Sequence, residues 1–509
     1  MRKGRGSGPK PPSGWILWEG LRNRSPGRRG PSSTTGRSSC SYGKRTPHGP
    51  ISAHGWVTAP RWKNGPGRRR IDSGLDPERR PVLLAWMMQP KTFALLFLAL
   101  PLAAIRCVAA PWTGTIPDNL GVQLKGPDMN AETLDRVQAL GLKWVRRGCI
   151  WQGVEKEKGV YDFSGYEAFV KLCRERGLRV ITPISFNNKL YGHVKDEPAR
   201  AAYAKYAAAL ANHFRDDDIH FEIWNEPNTK TFWGSHGRKG NSEAYAIEYT
   251  DLVKATIPAM RAADPDCVIL AGSVSNMWSE SYKWMEFCFA HGMLGTGFDV
   301  WSVHPYGLKS PEDYIEAYAH MRGQMVRAGG KADIRLMNSE RGFPIGKAEG
   351  YAGGDAALAY EYQAWHLVRQ YLIDMLEGAE ATIWYEWSGK EGFALHRPGE
   401  PTPALNACKE LIRQLSGYRL EKRIPAAEPR DFILRFTDGK GGVKLVAWTA
   451  PPAMQAPDKI TPHEILIPVE AKGPHISHDL YGKESKLEAG DAGLPVVLTG
   501  APRYITASE

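Results

Sequence analysis

Eight short apolar runs recur between residues 120 and 385: "LGVQL", "LKWVR", "RVITPIS", "HFEIW", "CVILAG", "FDVWSVH", "IRLMN" and "ATIWY". The segments between them carry helical patterns. One is "NAETLDRVQALG", which opens on a capping Asn130 and stops at Gly141. Others are "YEAFVKLCRERG", the alanine-rich "PARAAYAKYAAALANHF", "EAYAIEYTDLVKATIPAMRAA" and "AALAYEYQAWHLVRQYLIDMLEG". A strand followed by a helix and then another strand makes parallel neighbours, because parallel pairing needs a long crossover. Eight such units within residues 111–416 predict a closed (β/α)8 barrel of the α/β class. The competing arrangement, a doubly wound open sheet, calls for a Gly-rich phosphate turn after the first strand, and none follows "LGVQL". After "TPALNACKELIRQLSG" the period changes to two: "DFILRF", "VKLVAW", "HEILIPV" and "PVVLTGAPRYIT" are separated by Gly, Pro and Asp turns. Residues 417–509 are therefore expected to form a small antiparallel, β-sandwich-like domain.

Charge decides what the front of the chain is. The 66 Lys/Arg and 55 Asp/Glu leave a net +11, but residues 1–110 hold twenty of the bases and only four acids, Glu19, Asp72, Asp76 and Glu78. The remaining chain carries a net −5. A basic balance suggests nucleic acid only when it lies on a folded face. Here it lies in "MRKGRGSGPK" and "LRNRSPGRRGPSS", which cannot bury enough apolar surface to offset their ordering entropy. No nucleic-acid partner is expected for the folded part. Residues 1–86 read as a disordered basic leader, as an upstream start codon ahead of Met87 or Met88 would produce.

The next stretch, "MMQPKTFALLFLALPLAAIRCVAAPW", has a positive Lys91, an apolar run from Thr92 to Ile105, and a small-residue Val108-Ala109-Ala110. That is the pattern of a secretory signal over 87–110, shorter than the ~20 apolar residues of a membrane span. A signal-anchor is disfavoured by the short run and Pro101, and a lipid-modified Cys107 by the Arg106 before it. The mature chain is expected to be secreted or periplasmic, monomeric, and without stable membrane insertion. Its five cysteines, Cys149, Cys173, Cys267, Cys288 and Cys408, are odd in number and lack metal-ligand spacing, so buried free thiols are expected. No metal and no cofactor is called for.

In a barrel of this kind the strands' C-terminal ends carry the chemistry. The second run ends in Arg146, followed by Trp151 and Glu155; the third is followed by Asn187 and Asn188, and the fourth by Asn225 and Glu226. Next to the sixth stand His304 and Tyr306, to the seventh Glu340, to the eighth Trp384 and Glu386. Two carboxylates, an arginine, amides and aromatic plates on one rim are what glycosidic cleavage needs. One carboxyl protonates the leaving oxygen, and a second attacks or stabilises the oxocarbenium-like centre.

"WNEPN" at 224–228 resembles the acid/base motif of the clan A retaining glycoside hydrolases, and "RLMNSERGFP" stands where their nucleophile ends strand seven. "KWVRRGCIWQGVEKEKGVYDFSGYEAFV" is similar to the clan's strand-two region and "DVWSVHPYG" to its strand six. "EIWNEPN" with the trailing β domain leans towards family 39, which includes β-xylosidases, α-iduronidases and exopolysaccharide-cleaving enzymes. The "NSERG" surround departs from the family's more usual Thr-Glu with an aromatic close behind. The resemblance implies a carbohydrate substrate and a double displacement through a glycosyl-enzyme intermediate. In it Glu340 is the nucleophile and Glu226 the acid/base. Asn225 would meet the 2-hydroxyl and Arg146 would accompany Glu340. His304, Tyr306, Trp384, Asn187 and Trp233 would line the substrate site.

Plainer roles stand beside these. Glu226 before Pro227 is also what a helix start looks like. Glu222, of the same parity as Trp224, reads as an interior carboxylate paired with arginine, while Glu155 and Glu386 read as salt-bridge partners. His304 fits a loop-holding histidine, Trp151, Trp233 and Trp384 core aromatics, and Asn187 and Asn188 turn formers; Trp384 is the best stacking candidate. Lys230, Arg238 and Lys239 point to an anionic glycan or to a solvated loop. The rival functions are a catalytically silent carbohydrate-binding or scaffold protein on the same fold and a transglycosylase using the same residues.

Overall fold

The computed structural model describes residues 110–234, 239–390, 392–399 and 401–508. The basic leader and the signal expected over 1–110 lie outside the described residues, apart from Ala110 itself.

Each of the eight apolar runs is a strand: β1 (Leu120–Gln123), β2 (Trp144–Arg146), β3 (Arg179–Ser185), β4 (Ile219–Ile223), β5 (Val268–Ser275), β6 (Val300–His304), β7 (Arg335–Arg341) and β8 (Ala379–Trp384). All pair in parallel with their sequence neighbours, and β8 returns to β1 with Gly121 opposite Ile383, which closes the barrel. Helices cross between them: α1 (Ala131–Leu140), α2 (Ser164–Arg174), α3 (Glu197–His213), α4 (Glu243–Ala263), α5 (Ser279–Ala290), α6 (Tyr314–Arg327) and α7 (Ala356–Leu376). The caps expected for α1 are present: Asn130 Oδ1 accepts from Thr133 N at 2.9 Å, and Gly141 turns left-handed at φ 100°. Inside the barrel, Trp144, Ile181, Leu270, Val300, Met337 and Ile383 form an apolar plug. The polar residues stand one layer above it, towards the strands' C-terminal ends. All five cysteines are buried and free. No described helix is long and apolar enough to cross a membrane.

After α8 (Pro403–Leu415) come β9 (Arg419–Arg423), β10 (Asp431–Thr437), β11 (Val443–Thr449), β12 (His463–Ile467), β13 (Gly473–His478), β14 (Glu484–Ala489), β15 (Leu494–Leu498) and β16 (Arg503–Ala507). Six make one antiparallel sheet in the order β9-β10-β11-β16-β13-β14, and β12 pairs with β15. "PVVLTGAPRYIT" thus holds two strands with a turn between them. Alternation divides the sheet's faces. Phe432, Leu434, Phe436, Val446, Trp448 and Tyr504 join the barrel's own core, while Ile433, Leu445, Ala447 and Ile505 meet Ile467, Leu494 and Val496 in a second one.

A buried ion pair fastens this contact. Glu312, between β6 and α6, accepts from Arg369 of α7 (2.6 and 2.5 Å), from Ser310 (2.5 Å) and from Trp448 Nε1 of β11 (2.7 Å). Burial alone would push its carboxyl up, but the Arg369 guanidinium and these donors bring it down to about 2. A carboxyl depressed in the folded state stabilises the fold above its unfolded value, and that contribution is lost as pH falls through the folded one. Glu312→Gln is expected to cost ~3–5 kcal/mol at neutral pH by stranding Arg369. In urea unfolding followed across pH, the gap from wild type should close between pH ~4.5 and ~2.

Candidate active site

At the end of β2, Arg146 stands in the barrel mouth, 1% exposed. Its Nε and Nη2 donate to Glu222 Oε2 of β4 at 2.9 and 2.6 Å, and Nη2 also to Asn225 Oδ1 at 2.7 Å. Nη1 donates to Glu340 Oε2 at 2.7 Å and to Gln123 Oε1 at 3.1 Å. Burial opposes its charge, yet Glu222 and Glu340 hold the guanidinium above its ordinary pKa. Burial likewise opposes the Glu222 carboxylate, and Arg146, His304 and Ser339 nevertheless bring it below the usual range. The buried pair is therefore ionised, which satisfies the requirement that a buried charge be matched.

Across the mouth from Arg146, β7 is irregular. From Asn338 to Arg341, β7 takes three steps while its partner β8 takes two, Thr382 to Trp384, so one extra residue bulges out. A bulge re-aims side chains. Asn338 turns outward to Asp374 (2.8 Å), but both Ser339 and Glu340 turn inward. Ser339 Oγ donates to Glu222 Oε1 at 2.6 Å, and Glu340 Oε1 accepts from Tyr306 OH at 3.0 Å. Behind the bulge sits Gly342, where a Cβ would lie 1.9 Å from the Tyr385 carbonyl oxygen. Only glycine lets the two chains approach this closely.

The end of β4 is also kinked. Trp224 and Glu226 both have positive φ, 70° and 46°, a region costly for residues with a Cβ and concentrated at functional sites. The kink overturns the parity expected from the sequence: Glu222 faces the barrel interior, whereas Trp224 packs into the outer layer against Phe186, Tyr203 and Trp233. Turns, not a helix, occupy residues 227–233, so Glu226 does not cap a helix. Its backbone N donates to Ser273 Oγ of β5 at 3.3 Å, and its Oε1 lies 3.1 Å from His304 Nδ1.

His304 Nε2 lies 3.0 Å from Ser339 Oγ and 3.3 Å from Ser273 Oγ. Since the Ser339 proton goes to Glu222, Nε2 is the ring nitrogen that donates to Ser339. Nδ1 is left to Glu226, and a hydrogen bond there needs one proton between the two. A continuous buried path thus runs from Glu340 through Arg146, Glu222, Ser339 and His304 to Glu226. One oxygen of each terminal carboxylate and a His304 ring nitrogen all lie within 4.8 Å of one another. The same trio has the spacing of a cation site, but both Glu340 oxygens already hold donors, one of them cationic. That arrangement disfavours a metal.

The remaining candidates separate. Asn225, 8% exposed, joins the cluster through Arg146. His304 touches Glu226 and no substrate-facing surface, being fully buried. Trp384 does not offer a stacking face: it is 0% exposed, since Ala381 and Ile383 take the interior side of β8 and Trp384 falls on the helix side near His366. Trp233 is likewise buried, its Nε1 donating to Glu248 at 2.7 Å. Trp151 is a core aromatic between Tyr191 and Tyr206. Asn187 and Asn188 hold their own loop, accepting from Val194 N and Leu190 N, both at 3.0 Å. Glu386 pairs with Lys125 at 2.7 Å, but Glu155 accepts neutral donors from Trp151, Tyr191 and Gly159 rather than an ion pair. Lys230 and Lys239 are exposed, and Arg238 lies outside the described residues. Sequence reasoning assigned nothing to β5, which supplies Ser273, and passed over Ser339, whose signal was only its place beside Glu340.

Residues 116–331 match the family model described as cellulase, glycosyl hydrolase family 5, a span that stops just before β7. The fold is like that of a family 39 glycoside hydrolase from the gut symbiont Bacteroides cellulosilyticus WH2, with a TM-score of 0.60 at 19% identity, covering 77% of this chain and 81% of that one. The chain is a glycosidase with the clan A fold. A monomeric β-xylosidase from Caulobacter crescentus CB15 superposes with a TM-score of 0.56 at 17% identity over 80% of the glycosidase and 99% of its own chain. A family 30 endoxylanase from Clostridium papyrosolvens C71 gives 0.53 at 12% identity, over 79% and 99%. No curated protein sequence matches the glycosidase. Among these folds it is most like family 39 and acts on O-glycosyl bonds.

Proposed function

We propose that the glycosidase cleaves an exported or cell-envelope poly- or oligosaccharide with retention of configuration, Glu340 acting as nucleophile and Glu226 as acid/base. The observation that carries this reading is the short separation of the two carboxylates, with oxygens within 4.8 Å of one another. Retaining enzymes hold their carboxyls ~5–5.5 Å apart, whereas inverting ones leave ~6.5–9.5 Å for a water. Glu340 attacks the anomeric carbon as the glycosidic C–O bond breaks, and Glu226 gives its proton to the departing oxygen. Glu226 then takes a proton from water, which attacks the same carbon and releases Glu340. Arg146 and Tyr306 orient the attacking carboxylate, and His304 orients the acid. Arg146 also fixes Asn225 Oδ1, leaving Nδ2 for the substrate's 2-hydroxyl. A silent binding protein has no use for two carboxylates set this close.

Since the Caulobacter and Clostridium proteins are a β-xylosidase and an endoxylanase, xylo-oligosaccharides head a panel of α- and β-glycosides and envelope polysaccharides. Proton NMR of the earliest product from any cleaved member should show the substrate's own anomeric configuration. A product of the opposite configuration would sink the nucleophile assignment, and no turnover anywhere in the panel would sink the enzyme reading for natural glycans.

A further inference from the structure

Trp278 follows β5 by three residues and occupies the N-cap of α5, with φ −135°, ψ 178° and no side-chain capping bond. Ser, Thr, Asp and Asn serve that position because their side chains accept from the first-turn N–H groups, and an indole cannot. Nor does the ring repay the lost bond by burial, being 46% exposed, the one tryptophan among the exposed large hydrophobics of the described residues. Among those residues its indole makes no hydrogen bond and no aromatic stack, although the chain buries Trp151, Trp224, Trp233, Trp284, Trp301, Trp384 and Trp448 almost completely. One ring edge rests on the loop after β6: a Cβ on Gly307 would lie 3.1 Å from the indole and 3.4 Å from Asn276. The neighbouring Tyr306 donates to Glu340, and Asn276 N is tied to the His304 carbonyl at 2.8 Å. Trp278 therefore stands on the rim at the C-terminal ends of β5 and β6, with its indole N–H free.

The geometry points to Trp278 as an aromatic platform for the sugar ring on the leaving-group side of the scissile bond. This rests on the roles proposed above. The acid delivers its proton on the leaving-group side, Glu226 ends β4, and β5 is the strand beside β4 on the side away from Arg146 and Gln123. A pyranose presents a face of C–H groups to an aromatic ring and hydroxyls at its edge, matching an exposed indole with an unused N–H. Binding of such a remote ring contributes to transition-state stabilisation when it positions the leaving oxygen on the acid.

The test compares wild type with Trp278→Ser, which installs a good N-cap and so protects folding, and with Trp278→Phe, which keeps an aromatic face. Two substrates are used: the shortest oligosaccharide cleaved in the panel, and the glycosyl fluoride of its glycone, whose leaving group has no ring to stack. The ratio of kcat/KM for the oligosaccharide to that for the fluoride should fall about tenfold in the serine variant. Phenylalanine should restore most of it. An unchanged ratio, or a phenylalanine variant no better than serine, overturns the platform. Failure of the wild type to turn over the fluoride overturns instead the catalytic reading beneath it.

Discussion

Replacing Glu340 with glycine should bring turnover to background while leaving the fold intact, because the side chain is held through its carboxylate, by Arg146 and Tyr306, rather than by apolar packing. Without it there is no group to form the glycosyl ester, and Arg146 retains Glu222 as its counter-charge. Added azide fits the space vacated by the carboxylate and attacks the anomeric carbon from that side. The expected product is a glycosyl azide of configuration opposite to the substrate, with Glu226 still protonating the leaving oxygen. Full activity in this variant, or an azide product of retained configuration, would remove Glu340 from the mechanism.

Glu226→Ala should behave differently in a way that separates the two roles. Loss of a positioned proton donor costs ~10²–10⁴ in rate, and that loss should fall on alkyl and sugar leaving groups. A dinitrophenyl glycoside departs without proton assistance, so its first step should survive and the glycosyl ester on Glu340 should accumulate as a burst. Azide here attacks that ester and gives a product of retained configuration. Equal losses on activated and unactivated substrates would argue against Glu226 as the acid.

The barrel was legible because each strand is buried on both sides. Parallel strands covered by helices read as predominantly apolar runs, and all eight did, despite single polar residues such as Glu222 and Ser302 within them. The chemical inventory of the rim could be read for a related reason, since strand ends are where polar residues interrupt those runs. Side-chain direction was harder, because alternation was assumed to continue through the strand end. The positive φ at Trp224 and the extra residue before Arg341 both break alternation, and neither Trp nor Ser-Glu announces such a break as glycine would. Trp384 was misjudged for the opposite reason: alternation holds in β8, and its parity places it beneath α7 rather than at the mouth. Trp278 escaped notice because an indole at an N-cap carries no helix-start signal.

The "NSERG" departure has a structural account of its own. The bulge brings Ser339 into the barrel beside Glu340, where it spends its hydroxyl on Glu222 and receives His304. A serine there ties the two catalytic candidates to one shared scaffold.

Along β10 and β11, the sheet that runs β9-β10-β11-β16-β13-β14 is covered on both faces. Phe432, Leu434 and Phe436 go one way into the barrel's core, and Ile433 goes the other way towards β12 and β15. Residue 416 is therefore a seam in secondary structure but not in thermodynamics. A catalytic fragment cut there would bare the apolar sides of α7 and α8 and leave Glu312 without its tryptophan donor. In protein engineering terms the barrel and its trailing sheet are one indivisible cassette, to be grafted or swapped whole.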